Sequence, residues 1–247
     1  MMKTADYKIE HWITAAAEAD YQSQSPMVVK VDDRAATRRA IIESVRRKGA
    51  NFLERKAWQA HAADEAKMEP DWDYSKIAIH HAGRSFSCSG NVSDIHAIQD
   101  FHLHHRTHKW PDIGYHYVLD CTGNIVEGRD IKFKGAHMAH FNGKAVGLLM
   151  LQDLSEPEDG DDPIAAVLKI KKKLGWVKKI DIPNVQRESL EMLIATLRDF
   201  FVIVELGGHL EFKGQQDTEE GKLCPGVHGM KLVEELREWS GLEKPEA

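Results

Sequence analysis

The sequence predicts an α/β chain in which short apolar strands alternate with amphipathic helices. Three observations carry this. Residues 145–151 are almost all apolar, and the run is short enough for a strand buried on both faces. Residues 115–120 and 125–127 flank the turn formers Thr122-Gly123-Asn124, which is a hairpin pattern. Residues 185–205 set Leu190, Leu193, Ile194, Leu197, Phe200 and Phe201 on one helical stripe that needs a sheet to cover it.

In chain order, residues 1–70 read as a helical N-terminal extension and 71–247 as the main domain. Ala15 to Ala19 favour helix, and Ile41, Ile42 and Val45 form a stripe in the next helix, over 34–48, which Gly49 ends. Residues 51–68 read as a second, mostly polar helix. The extension is either a solvated arm packed on the main domain or a tether for a partner. Residues 76–80 read as a short buried strand, and 84–91 as a loop of turn formers. Ser93 is placed to cap a helix over 94–108, which carries five histidines. Trp110-Pro111-Asp112 leads into the hairpin. Gly207-Gly208 end the long helix, 211–221 is a polar loop, and a last helix covers 230–239.

Composition excludes some functions. The net charge of −6 offers no basic surplus for nucleic acid, nor any general attraction to anionic polymers. No apolar run reaches the eighteen residues of a membrane span. Residues 1–7 lack the apolar core of a classical signal peptide, so the expectation is synthesis in the cytoplasm followed by non-classical delivery to the cell wall or periplasm. Cys88, Cys121 and Cys224 cannot all pair. If Cys224 binds a metal, pairing of the other two stays open.

The chemistry points to His80, His209 and Cys224. Two imidazoles and one thiolate suit zinc, and three protein ligands leave a fourth position for a water activated near neutral pH. The three are far apart in sequence, so spacing alone leaves ordinary buried residues as the alternative. His104 and His108, at i and i+4, are another possible pair, with no carboxylate or thiol partner evident.

The words around these residues occur in one order: Gly114-Tyr115-His116-Tyr117, Gly128-Arg129-Asp130, Gly135-Ala136-His137 with Asn142, Gly208-His209, and Lys222-Leu223-Cys224-Pro225. This order resembles the zinc-dependent N-acetylmuramoyl-L-alanine amidases, the family of the phage lysozyme-type amidases and the peptidoglycan recognition proteins. The resemblance covers about residues 74–240. It implies a central mixed sheet of five or six strands flanked by helices, with zinc at one edge of a surface groove. It selects His80 over its neighbour His81, because the ligand follows the apolar strand directly. It implies that Tyr115 lies near the reacting water and that Lys222 stabilises the oxyanion or donates a proton. His137, Asn142 and His105 match positions that contact substrate. Against the short phage enzymes, 152–184 is an insertion with an acidic start, a helix over 163–174 and a basic run over 169–179.

The bond implied joins the lactyl group of N-acetylmuramic acid to L-alanine of the peptidoglycan stem. The expected role is lytic, as a phage endolysin or an exported antibacterial effector with an immunity protein or delivery partner. The alternatives are a cytosolic amidase of wall-fragment recycling and a non-catalytic peptidoglycan-binding module. Retention of Cys224 favours cutting, since non-cutting relatives typically lose that cysteine.

Overall fold

In the computed structural model, residues 34–83, 86, 90, 92–106, 108–157, 163–176, 180–218 and 223–246 are described. Six strands make one sheet: β1 (Phe52–Leu53), β2 (Lys76–His81), β3 (Tyr117–Leu119), β4 (Ile125–Glu127), β5 (Ala145–Met150) and β6 (Glu205–Gly208). Their spatial order is β1-β4-β3-β5-β2-β6. The β3–β4 hairpin is antiparallel and every other neighbouring pair is parallel, so the sheet is mixed, as expected. The described helices are α1 (Arg34–Arg47), α2 (Val92–His104), α3 (Pro163–Lys173), α4 (Asn184–Phe200) and α5 (Gly226–Ser240).

Strand alternation sorts the sheet into two faces. Ile77 and Ile79 of β2, Val146 and Leu148 of β5, and Leu206 of β6 pack with Leu190, Leu193, Ile194 and Leu197 of α4 and with Leu232, Val233 and Leu236 of α5. The predicted stripe of the long helix is thus buried. On the opposite face Leu149 and Val118 meet Ile95 and Ile98 of α2. That face also carries Ala78, His80, Ala145 and Gly147, with Ala78 opposite Gly147 and His80 opposite Leu149 in the β2–β5 register. Small side chains there leave room for a loop to lie on the sheet.

Two stretches differ from the sequence reading. Residues 51–68 hold no α-helix: Phe52 and Leu53 add a parallel edge strand against Ile125 and Val126, followed by a turn and a 3-10 turn at Glu65–Lys67. Their apolar residues, Phe52, Leu53 and Trp58, lack the three-to-four spacing of a helical stripe. The Trp58 indole is buried and donates to the Glu127 carbonyl at 2.8 Å. The second is 201–208, read as the end of the long helix: α4 stops at Phe200 and Glu205–Gly208 form the edge strand β6. Of the extension, α1 packs on the main core, as one of its two readings had it. Ile41, Ile42 and Val45 are buried with the α4 residues, and Arg38 pairs with the buried Glu127 through both its Nε and Nη2 at 2.5 Å. Ala15 to Ala19 lie outside the described residues.

Three buried side chains pin the loops beneath the cleft, two of them from the predicted motif words. The buried Arg129 guanidinium donates to the carbonyls of Ile113, Lys134 and Asp112 at 2.8, 2.7 and 3.1 Å. His116 Nδ1 accepts the Gly147 N–H at 3.0 Å while its Nε2 faces the Phe133 carbonyl at 3.0 Å. His102 Nδ1 accepts the Gly114 N–H at 3.2 Å. Burial pushes both imidazoles down to about 4, with Arg129 adding to the effect. Both are therefore neutral in the fold at a pH where the unfolded chain binds protons. Their stabilisation is complete above about pH 6.5 and is lost as pH falls toward 4, with each imidazole worth on the order of 3 kcal/mol over that window. Denaturant titrations of the metal-free protein at pH 7 and pH 4.5 should show stability falling by several kcal/mol. A His116→Asn variant should lose part of that dependence.

Candidate metal centre and cleft

The site lies at the carboxyl ends of the parallel strands β2 and β6, where open α/β sheets place their ligands. His80 is near the end of β2, on the sheet face carrying Ala78. His209 directly follows β6 and opens a 3-10 turn, His209–Glu211. Glu211 fixes that turn: its carboxylate accepts the Gly208 N–H at 3.0 Å and the Arg237 guanidinium of α5 at 2.6 Å. Burial alone would raise the Glu211 carboxyl; the bonds from Arg237 and Gly208 outweigh it and hold the group below the usual carboxylate range. Cys224 comes from the loop before α5, and its carbonyl accepts the Leu210 N–H at 2.9 Å, so the two ligand loops are tied together. Gly208 allows this approach. A Cβ there would lie 2.4 Å from Met230 Sδ and 2.7 Å from Pro225 Cδ, displacing the residue next to the thiol.

His80, His209 and Cys224 each offer a ligand atom, and these atoms lie within 4.8 Å of one another. All three residues are buried, and Cys224, which forms no disulfide, has its Sγ 3.6 Å from His80 Nδ1. The His80 and His209 rings are 4.5 Å apart. Burial pushes both imidazoles below their ordinary value, His80 strongly, so both are held as the neutral bases a metal binds. Two neutral imidazoles beside a thiol, with no carboxylate among them, form a donor set that fits a borderline-soft divalent cation.

Above the cluster opens a cleft of about 480 Å³, lined by side chains of α2 and the loop after it, by residues 136–142 and by residues 209–218. The structure brings most of the predicted residues to it. Tyr115 is half-buried in its lining, with its ring 5.0 Å from the His80 ring and 6.2 Å from that of His137. His137, Asn142 and His105 all line the cleft. His137 is buried at its floor, with Nδ1 3.0 Å from His80 Nε2. Asn142 Oδ1 accepts the N–H groups of His137 and Met138 at 2.8 and 2.9 Å, and its Nδ2 donates to the Met138 carbonyl. His105 Nδ1 accepts the His108 N–H at 3.2 Å, and its ring is 5.2 Å from Trp110. Lys222 and Cys88 lie outside the described residues. His81 points to the other side of β2, where its Nδ1 accepts the Leu154 N–H at 3.0 Å. His104 and His108 are not brought into the metal cluster.

Gln215 is a site residue with no signal in the sequence, being one of two adjacent glutamines in a polar loop. Its side chain is fully buried, and its Oε1 lies 3.0 Å from His209 Nε2.

No family model matches the chain. Over 104 residues it is 28% identical to peptidoglycan-recognition protein SC2 of Drosophila melanogaster, covering 42% of this chain and 55% of that protein. Over 102 residues it is 33% identical to peptidoglycan recognition protein 3 of Homo sapiens, covering 41% of this chain and 29% of that one. The match thus spans about half the length, or less, of these curated relatives. Among solved structures, Drosophila PGRP-LB superposes with a TM-score of 0.57 at 23% identity, over 80% of this chain and 98% of that one. Peptidoglycan recognition protein LE in complex with tracheal cytotoxin, a monomeric diaminopimelic acid-type peptidoglycan, gives 0.57 at 22% identity, over 78% and 96%. These structures share the fold of this chain.

Proposed function

The homologues of this chain are peptidoglycan-recognition proteins, and we propose that it is a zinc amidase that cuts the bond between N-acetylmuramic acid and L-alanine in peptidoglycan. The observation that carries this reading is the buried His80, His209 and Cys224 cluster, whose His209 lines an open cleft. A module that only held its ligand would have no need of two neutral imidazoles and a buried thiol converging there. Related proteins bound to a muropeptide support the substrate class.

Zinc held by these three residues would polarise the amide carbonyl and lower the pKa of an attacking water toward ~7. The chain's own residues supply the rest. A base must take the water's proton, and a donor must meet the developing oxyanion. No carboxylate lies among the cluster residues. Tyr115, half-buried in the cleft with its ring against His80, is the residue to orient the water or, as its phenolate, take its proton. Lys222, two residues before Cys224, is assigned the oxyanion or the leaving amine on the resemblance alone. His105 and Trp110 offer a wall of rings for the substrate.

The lytic role at the cell wall is part of this proposal. Purified sacculi digested by zinc-loaded protein should release free stem peptides and leave peptide-free glycan, read by mass spectrometry, with both lost on chelation. Cleavage confined to small soluble muropeptides would move the enzyme to fragment recycling. Binding without cleavage of either substrate would make it a recognition module.

A further inference from the structure

The two histidine ligands each use only one ring nitrogen for a metal, and the other nitrogen of each has a partner inside the protein. His80 Nε2 lies 3.0 Å from His137 Nδ1, and His209 Nε2 lies 3.0 Å from Gln215 Oε1. We infer that His137 and Gln215 are the outer partners of the metal centre, positioning residues that fix His80 and His209 as Nδ1 ligands. The inference rests on the metal reading above and deepens it.

The protons can be assigned from groups whose role is not in doubt, namely backbone carbonyls and N–H groups. Gln215 Nε2 donates to the carbonyls of Ala139 at 2.7 Å and Lys213 at 3.2 Å, so the amide cannot be turned around. Its Oε1 therefore faces His209 and also accepts the Ala139 N–H at 2.9 Å. An acceptor opposite His209 Nε2 requires the hydrogen on that nitrogen, which leaves the Nδ1 lone pair for the metal. His137 works the same way. Its Nε2 faces the Ala145 carbonyl at 3.4 Å and so carries hydrogen. Its Nδ1 is then an acceptor, His80 Nε2 donates to it, and the His80 Nδ1 lone pair points to the side of Cys224 Sγ, 3.6 Å away. Both chains of hydrogen bonds thus present a lone pair at the cluster.

The His137 ring has a slot built for it. A Cβ on Gly147 would lie 2.4 Å from His137 Cδ2, and one on Gly135 would lie 2.5 Å from the same atom. Any side chain at either position would push the ring off His80. Both partners also meet on one loop: Gln215 grips both backbone groups of Ala139, two residues after His137. Asn142 closes the same loop by accepting the His137 and Met138 N–H groups. One loop therefore orients both ligands, although it supplies no ligand itself. This also gives His137 a task apart from touching substrate. A hydrogen bond to the far nitrogen of a ligating histidine fixes its tautomer and ring orientation and raises its basicity, and losing such a partner typically costs about 10- to 100-fold in metal affinity.

The test measures the zinc dissociation constant of the full chain by competition with a chromophoric chelator, with the visible spectrum of the cobalt-substituted protein alongside. The variants are His137→Leu, Gln215→Leu and the conservative His137→Asn, which keeps an acceptor near the imidazole. Each leucine variant should bind zinc about 10- to 100-fold more weakly and shift the cobalt bands. His137→Asn should recover most of the affinity that His137→Leu loses. Leucine variants that fold with wild-type zinc affinity and an unchanged cobalt spectrum would overturn the assignment while leaving the metal reading intact. A wild type that holds no zinc would overturn both. Should the leucine variants not fold, nitrogen-15 spectra of the metal-free wild type decide. His80 and His209 with hydrogen on Nε2 in slow exchange support the assignment; either ring with hydrogen on Nδ1 refutes it.

Discussion

Serine in place of Cys224 is expected to strip the protein of zinc and take amidase activity to background while leaving the fold in place. The thiolate is the only sulfur donor in the cluster, and it is what tilts the set toward a borderline-soft cation. A serine hydroxyl is a poor substitute because it stays protonated near neutral pH. The two imidazoles left behind are too few to hold the ion against dialysis, and affinity should fall by more than the ~100-fold that loss of an outer partner can cost. Folding should survive. Cys224 is held through its backbone, by the Leu210 N–H on its carbonyl. The core on the far face of the sheet contains neither Cys224 nor the two histidines. Metal content after dialysis, product formation from sacculi and melting of the metal-free proteins check the three parts separately. A Cys224→Ser protein that keeps one zinc and full activity would remove Cys224 from the ligand set.

The second large effect is expected at Tyr115. Tyr115→Phe keeps the ring, and with it the packing against His80 and His137, but removes the hydroxyl. Zinc affinity and the cobalt spectrum should therefore match wild type. The turnover number should drop by roughly 10²- to 10⁴-fold, the usual worth of a positioned proton-transfer group. The substrate concentration for half-maximal rate should change little, since the loss falls on the transition state. Comparable losses of zinc and activity would instead make Tyr115 a support for His80. Unchanged turnover would leave the proton to another group, with Lys222 next to be tested.

These two variants probe residues that were legible in the sequence through donor chemistry together with the order of motif words that resembles the zinc amidases. A histidine after a short apolar strand, a Gly-His pair and a cysteine before proline declare their donor types without any contact map. Strands β2 to β5 and the long helix were legible because burial on one face or both leaves a periodic mark on the residues themselves; β6, read as the end of that helix, was not. Residues 51–68 carried no such mark. Phe52, Leu53 and Trp58 are buried by an edge strand and a turn, and what fixes them is pairing with Ile125 and Val126 and a bond to Glu127. The helix holding Ile41, Ile42 and Val45 was read correctly as a helix, but its place in the main core depends on α4, far along the chain.

The amino-acid sequence carried the order of motif words whose resemblance to the zinc amidases singled out the candidate donors and the cleft tyrosine, and its periodicity marked most of the strands and helices. Tertiary structure alone decided how those donors are aimed. His80 meets His137 across 57 residues and Cys224 across 144, contacts that exist only because β2 lies between β5 and β6. Which nitrogen each histidine offers depends on the Ala139 and Ala145 backbone groups and on Gln215, none of which differs in sequence from an ordinary loop or strand residue. A hydrogen bond needs two groups within about 3 Å, and such a distance between remote residues is set by the packing of the whole sheet.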